Sequence, residues 1–193
     1  MPTKIITQPT FEPITTAEVT EYLRLDDSPT DIDLVESLIT AARQYLEEAV
    51  NHPIAEQTLE TSFDAFQNEF VLTSPVQSVS SVKYLDDTGA EQTLNANQYL
   101  VDTYSDPARI TPALNVSYPN TYAVPNAVKI RYVAGYTTGS SPDDFPMPKP
   151  LKFAMLLVIG DLYANREGQG DKSYSVNPTV QNLLSFYRIK MGL

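Results

Sequence analysis

Apolar residues recur at helical spacing at both ends of this chain and alternate in its middle. In "PITTAEVTEYLRL" Val19, Tyr22 and Leu23 make one face, and Thr15 and Glu18 have capping-box spacing, so a short helix is predicted. "DDSPTDIDLVESLITAARQYLEEAVN" carries Val35, Leu38, Ile39, Ala42, Leu46 and Ala49 on one stripe. Ser28 is its expected cap and Pro29 its first residue, with Asp31 and Asp33 favouring the positive helix end. Asn51-His52-Pro53 stops it, because the residue before a proline avoids helical backbone.

Over about 58–136 the period changes to two. β-branched and aromatic residues dominate, punctuated by Pro, Gly, Asn and Asp. "AVKIRYV" is the clearest strand, with Val128, Ile130 and Tyr132 on one face and Lys129 and Arg131 on the other. "SVKYLDDTGAEQTL" predicts a hairpin turning at 86–89, and "NQYLVDTY" another strand. Five to seven short antiparallel strands are expected.

Helical spacing returns after "TTGSSPDDFPMPKP". Pro150 opens a helix through Leu151, Ala154, Met155, Val158 and Leu162, which Gly168 and Gly170 end. Asn177 caps a last helix with Pro178 in its first turn and Val180, Leu183, Leu184 and Tyr187 on its apolar face. The fold class expected is α+β in one domain over 1–193. The N- and C-terminal helix pairs (about 15–51 and 149–190) form a four-helix core, and the antiparallel β-rich segment is inserted between them.

Charge narrows the function. The chain is 193 residues long with a net charge of −11, and residues 1–60 alone hold 12 acids against 3 bases. After Asp171 there is no acid, only Lys172, Arg188 and Lys190. A basic footprint for gripping phosphates is therefore missing. The most apolar run, 151–162, contains Lys152 and Asp161 and falls short of the ~20 residues that span a bilayer, so no membrane is expected as partner. No secretory leader is recognisable in "MPTKIITQPTFEPITT".

Candidate chemistry is sparse. With no Cys and one His, a transition-metal site, a catalytic triad and any disulfide are not expected, and no cofactor is assigned. His52 is expected to cap helix carbonyls. "DDSPTDID" puts Asp31 where a calcium loop needs Gly and Ser37 where it needs Glu, so helix capping explains its acids. The glycines of "REGQGDK" follow a helix, whereas a phosphate loop precedes one. One polar cluster stands out at the end of a greasy helix: Asp161, Asn165, Arg166 and Glu167 in "LLVIGDLYANREG". Asp161 and Asn165 share a face, and Arg166 beside them offers planar multidentate donors suited to a carboxylate of a neighbouring subunit. These four are the expected subunit interface, with Lys152 a second cation for a neighbour's acidic face.

The order and spacing of several segments resemble the head–tail connector (adaptor) family of tailed bacteriophages and gene transfer agents. The segments are "PITTAEVTEYLRLDD", "DIDLVESLITAARQYLEEAVNHPI", "SPVQSVSSVKYLDDTGAEQTLNANQYLVD", "VKIRYVAGY", "PKPLKFAMLLVIGDLYANRE" and "VQNLLSFYR", covering nearly the whole chain. Where the family pattern has Trp-Pro, this chain has Tyr118-Pro119. The resemblance implies a structural, non-enzymatic virion protein made in a bacterial cytoplasm. It would form a homo-oligomeric ring of about twelve subunits below the portal protein, closed by head-to-tail contacts. The ring would extend the DNA channel without holding DNA specifically, and would seat a head-completion (stopper) or tail protein. It also implies portal binding by the C-terminal region, here Tyr187, Arg188, Ile189, Lys190, Met191 and Leu193. The alternative reading is a soluble ligand-binding or enzymatic domain, which a deep pocket with convergent polar groups would favour.

Overall fold

A computed structural model describes residues 2–25, 29–137, 145–165 and 177–188, and the side chains of 29–31 are not among those described. The chain divides into two compact units: Met1–Thr10 with Glu56–Gly135, and Phe11–Ala55 with Tyr136–Leu193. The class is α+β.

Among its described residues the second unit holds four helices, α1 (Thr16–Leu23), α2 (Pro29–Val50), α3 (Lys149–Ala164) and α4 (Pro178–Ser185). Helix α1 starts as its sequence dictates. The Thr15 hydroxyl accepts from the Glu18 amide at 3.3 Å, and Glu18 Oε2 accepts from the Thr15 amide at 3.1 Å. Two end-of-helix donors are thereby satisfied. Helix α2 stops at Asn51, whose φ of 61° is tolerable because asparagine visits left-handed backbone at low cost. Its expected cap Ser28 lies outside the described residues, as do Gly168 and Gly170. Val19, the α2 stripe Val35, Ile39, Ala42, Leu46 and Val50, the α3 residues Leu151, Ala154, Met155 and Ile159, and Val180 and Leu184 of α4 are buried in one cluster. At ~1.5–3 kcal/mol per large side chain removed from water, this cluster is the main force holding the helices together.

The first unit holds eight strands in two antiparallel sheets. They are β1 (Thr3–Thr7), β2 (Gln57–Phe63), β3 (Phe70–Leu72), β4 (Val76–Leu85), β5 (Glu91–Thr93), β6 (Tyr99–Asp102), β7 (Ala108–Pro112) and β8 (Val128–Ala134). The five-stranded sheet runs β1-β2-β8-β4-β5 and the three-stranded sheet β3-β7-β6. The seven strands of the expected β segment are joined by β1 from the N-terminus, which the sequence reading leaves out. Strand β8 sits at the centre. Val128, Ile130, Tyr132 and Ala134 point into a core shared with Phe63, Phe70, Leu72, Val82 and Ile110. On its other face Arg131 meets Glu60, its register partner on β2, at 2.8 Å. The β4–β5 hairpin turns at Asp86, whose carboxylate accepts from the Thr88 and Ala90 amides at 3.0 and 3.1 Å. No described helix is long and apolar enough to cross a membrane.

Candidate subunit and partner surfaces

The polar end of α3 is where the sequence places a subunit interface, and the described part of that cluster is occupied within the chain. The Asn165 side chain donates to the Asp161 carbonyl at 2.8 Å, closing the last turn of α3. The Asp161 carboxylate turns instead to Asn177, whose Nδ2 donates to Oδ2 at 3.1 Å. Asn177 also accepts from the Thr179 amide at 3.0 Å, so it is the cap of α4 that sequence predicts. Asp161 thus fixes the capping residue, and through it ties the start of α4 to the end of α3. Arg166 and Glu167 lie outside the described residues. Lys152, expected to face a neighbour, forms an ion pair with Glu18 of its own chain. Against the cost of partial burial, that pairing with Lys152 and the Thr15 amide hold the Glu18 carboxyl below its ordinary range.

Of the expected portal-binding residues, Tyr187 and Arg188 are described. Tyr187 packs against the helical core. Arg188 Nε donates to the carbonyl of Ala49 at 2.8 Å, in the last turn of α2. A cation there satisfies a terminal carbonyl and complements the helix dipole. Ile189, Lys190, Met191 and Leu193 lie outside the described residues.

The His52 Nδ1 lies 3.1 Å from the Pro53 carbonyl, and its ring meets Tyr136 edge-on at 6.1 Å. It is buried as part of the packing. Among the described residues no three His, Asp or Glu side chains converge as metal ligands. A shallow, open hollow on α2 is lined by Glu36, Ser37, Thr40, Ala41 and Gln44, which bring one acid and neither a base nor a nucleophile–His pair.

The sequence reading misses a buried charge cluster among the described residues. Arg43 is 5% exposed, and its Nε and Nη1 donate to Glu12 Oε2 at 2.8 Å and Glu47 Oε2 at 2.9 Å. Glu12 Oε1 accepts from Thr40, and Glu47 Oε1 accepts from the Ile54 amide at 3.0 Å. Burial pushes the Glu47 carboxyl up, opposed by the Ile54 amide and Arg43. The set binds the segment before α1, the middle of α2 and the chain beyond α2. Arg43 and Glu47 are an i,i+4 pair visible in sequence, but Glu12 is 31 positions from Arg43 and nothing local announces it.

The protein-family model described as "Head completion protein" matches residues 12–189. The chain belongs to that family. This head completion protein is a structural component of head–tail assembly, not an enzyme, as the resemblance implied. No curated protein sequence matches it. Among solved structures it is similar to a chain of "Virion of native gene transfer agent (GTA) particle", with TM-score 0.77 and 20% identity, covering 100% of this chain and 98% of that one. It is also similar to chains of "Neck of empty GTA particle computed with C6 symmetry" (TM-score 0.78) and "Neck of native GTA particle computed with C12 symmetry" (TM-score 0.73). Both are 20% identical to it, with 100% of this chain and 98% of theirs covered. At that identity the likeness is one of fold, and it extends over both units.

Proposed function

We propose that this head completion protein forms a homo-oligomeric ring in the neck of a tailed phage or gene transfer agent particle. The ring lies beneath the portal, extends the DNA channel and seats the stopper or tail protein. The observation that carries this reading is the full-length likeness to neck chains whose reconstruction was computed with C12 symmetry. The reading takes a ring of twelve subunits, which is in keeping with that symmetry, and closure requires two different complementary faces on each subunit.

The subunit interface in this reading is formed by Asp161, Asn165, Arg166 and Glu167, Asp161 and Asn165 also making bonds within their own chain. At the portal side, Arg188 is the anchor on α2, and the contact is made by Tyr187, Arg188, Ile189, Lys190, Met191 and Leu193. That segment supplies cations and apolar side chains but no acid. DNA passes without specific contacts, since a chain at −11 repels phosphate on average.

The test is imaging of assembled particles alongside a variant lacking residues 189–193. The reading expects twelve copies below the portal in complete particles, and heads that fill but are not completed when the tail is missing. A truncated protein that completes heads at the normal rate overturns the portal assignment. Copies found elsewhere in the particle overturn the ring reading. Tight, salt-sensitive binding of the protein to duplex DNA contradicts the passive channel.

A further inference from the structure

Helix α3 is apolar on every side from Phe153 to Gly160, a stretch with no polar residue. A helix of that kind is ordinarily buried on every side. Here the core of the chain takes one side only. Leu151, Ala154, Met155 and Ile159 are buried, Leu156 and Leu157 are half-buried, and Phe153 is 48% exposed. Tyr22 of α1 lies over Gly160, where an added Cβ would come within 3.5 Å of its ring, and is itself 40% exposed. Lys149, exposed one helical turn before Phe153, flanks this apolar patch and has no ion pair among the described residues.

Helix α2 turns the opposite chemistry outward. Asp33, Ser37, Ala41, Gln44 and Glu48 are exposed and follow one another at helical spacing, with Glu36 at the edge of the row. No cation lies on this arc. Ser37 and Ala41 are small, and between Glu36, Thr40 and Gln44 they leave the shallow hollow, about 430 Å³ in volume. Asp33, Glu36 and Glu48 have no ion pair among the described residues, in contrast to Glu12, Glu18 and Glu47.

Helices α2 and α3 pack together and bury their facing stripes in one cluster, so these two outer arcs look away from one another. Two unlike faces turned apart are what a head-to-tail contact needs and a two-fold contact does not. They are also complementary, with an aromatic side chain beside an unpaired cation on one and a hollow beside unpaired acids on the other. We propose that Phe153 of one subunit seats in the α2 hollow of the next, with Lys149 pairing to Glu36 at its edge. The aromatic anchor supplies the burial, and the charges fix which face it meets. This rests on the ring reading and deepens it, extending the interface at the end of α3 along that helix and naming α2 as the surface it meets.

The chain contains no cysteine, so introduced thiols report alone. Phe153→Cys is combined with Ser37→Cys or Ala41→Cys in the full chain. Particles assembled with each are oxidised mildly, and the protein is resolved on a non-reducing gel. At least one of the two combinations is expected to give a ladder from dimer upward, severalfold above a Phe153→Cys/Asp87→Cys control. Single variants should stay monomeric on the gel, and imaging of the same particles counts the copies in each neck. A complete ring with no ladder above control overturns the pairing and leaves the ring reading standing. Copies present in the particle without a ring overturn both. Dimers from Phe153→Cys alone overturn it in favour of α3 against α3. A benzophenone carried on Phe153→Cys that labels another neck protein instead of α2 overturns it in favour of that protein. A second pair of variants keeps Phe153 in place. Lys149→Glu should lower incorporation into particles severalfold, and Glu36→Lys in the same chain should restore it. Incorporation unchanged by Lys149→Glu, or no better in the double variant, overturns the proposal.

Discussion

Asn177 donates from Nδ2 to the Asp161 carboxylate at 3.1 Å while its own carbonyl oxygen caps α4. One residue of α3 therefore orients the cap of the next helix. Asp161→Ala should leave the partly buried amide without its acceptor and cost about 0.5–1.5 kcal/mol in a denaturant titration. Amides of α4 should exchange faster than those of α2 in the variant. Unchanged exchange across 178–185 would show that the cap is set without Asp161.

Arg43 is the buried hub between Glu12 and Glu47. Arg43→Met should cost about 3–5 kcal/mol, because it strands buried carboxylate rather than because the pairs themselves are strong. Adding Glu47→Gln should recover part of that loss, since the amide oxygen can still accept from Ile54. A double variant less stable than the single one would refute this account.

Two exposed aspartates give the β unit an acid limit. Asp86 is held down to about 2 by Thr88, Gln92 and the amides of the turn. Asp102 is held to about 2 by Ser105, with Arg109 adding to it. Both carboxyls are depressed from an ordinary 3.8, so the stability they supply is complete above that value and is lost as pH falls toward 2. The melting temperature should drop across that window, and Asp86→Asn/Asp102→Asn should flatten the drop. An equally steep decline in the double variant would place the acid sensitivity elsewhere.

Tyr118 stacks on Phe66 with ring centroids 4.5 Å apart, and its hydroxyl is buried without a hydrogen-bond partner among the described residues. Burial pushes its pKa up to about 12, with Tyr99 adding to the shift. Tyr118→Phe keeps the stack and removes the unpaired group. It should be neutral or stabilising by up to ~1 kcal/mol in thermal or chemical unfolding. A loss larger than that would reveal a partner for the hydroxyl.

The sequence by itself determined most of the secondary structure and the family. Helical period at both ends, alternation in the middle, the caps at Thr15 and Asn177 and the turn at Asp86 are local properties. Their signals lie within a few residues and depend on local side-chain and backbone chemistry. The family was legible for a similar reason, since the order and spacing of such segments survive without knowing what they touch. What the tertiary structure decided is which distant groups meet. Glu12 reaches Arg43, Asp161 is taken by Asn177, and Arg188 lands on the carbonyl of Ala49. Strand β1 was unreadable because neither of its isoleucines faces the core, so no alternation marks it. An edge strand defined by the ladder to its neighbour leaves its trace in backbone hydrogen bonds, which every residue but proline can donate and which side-chain pattern does not record.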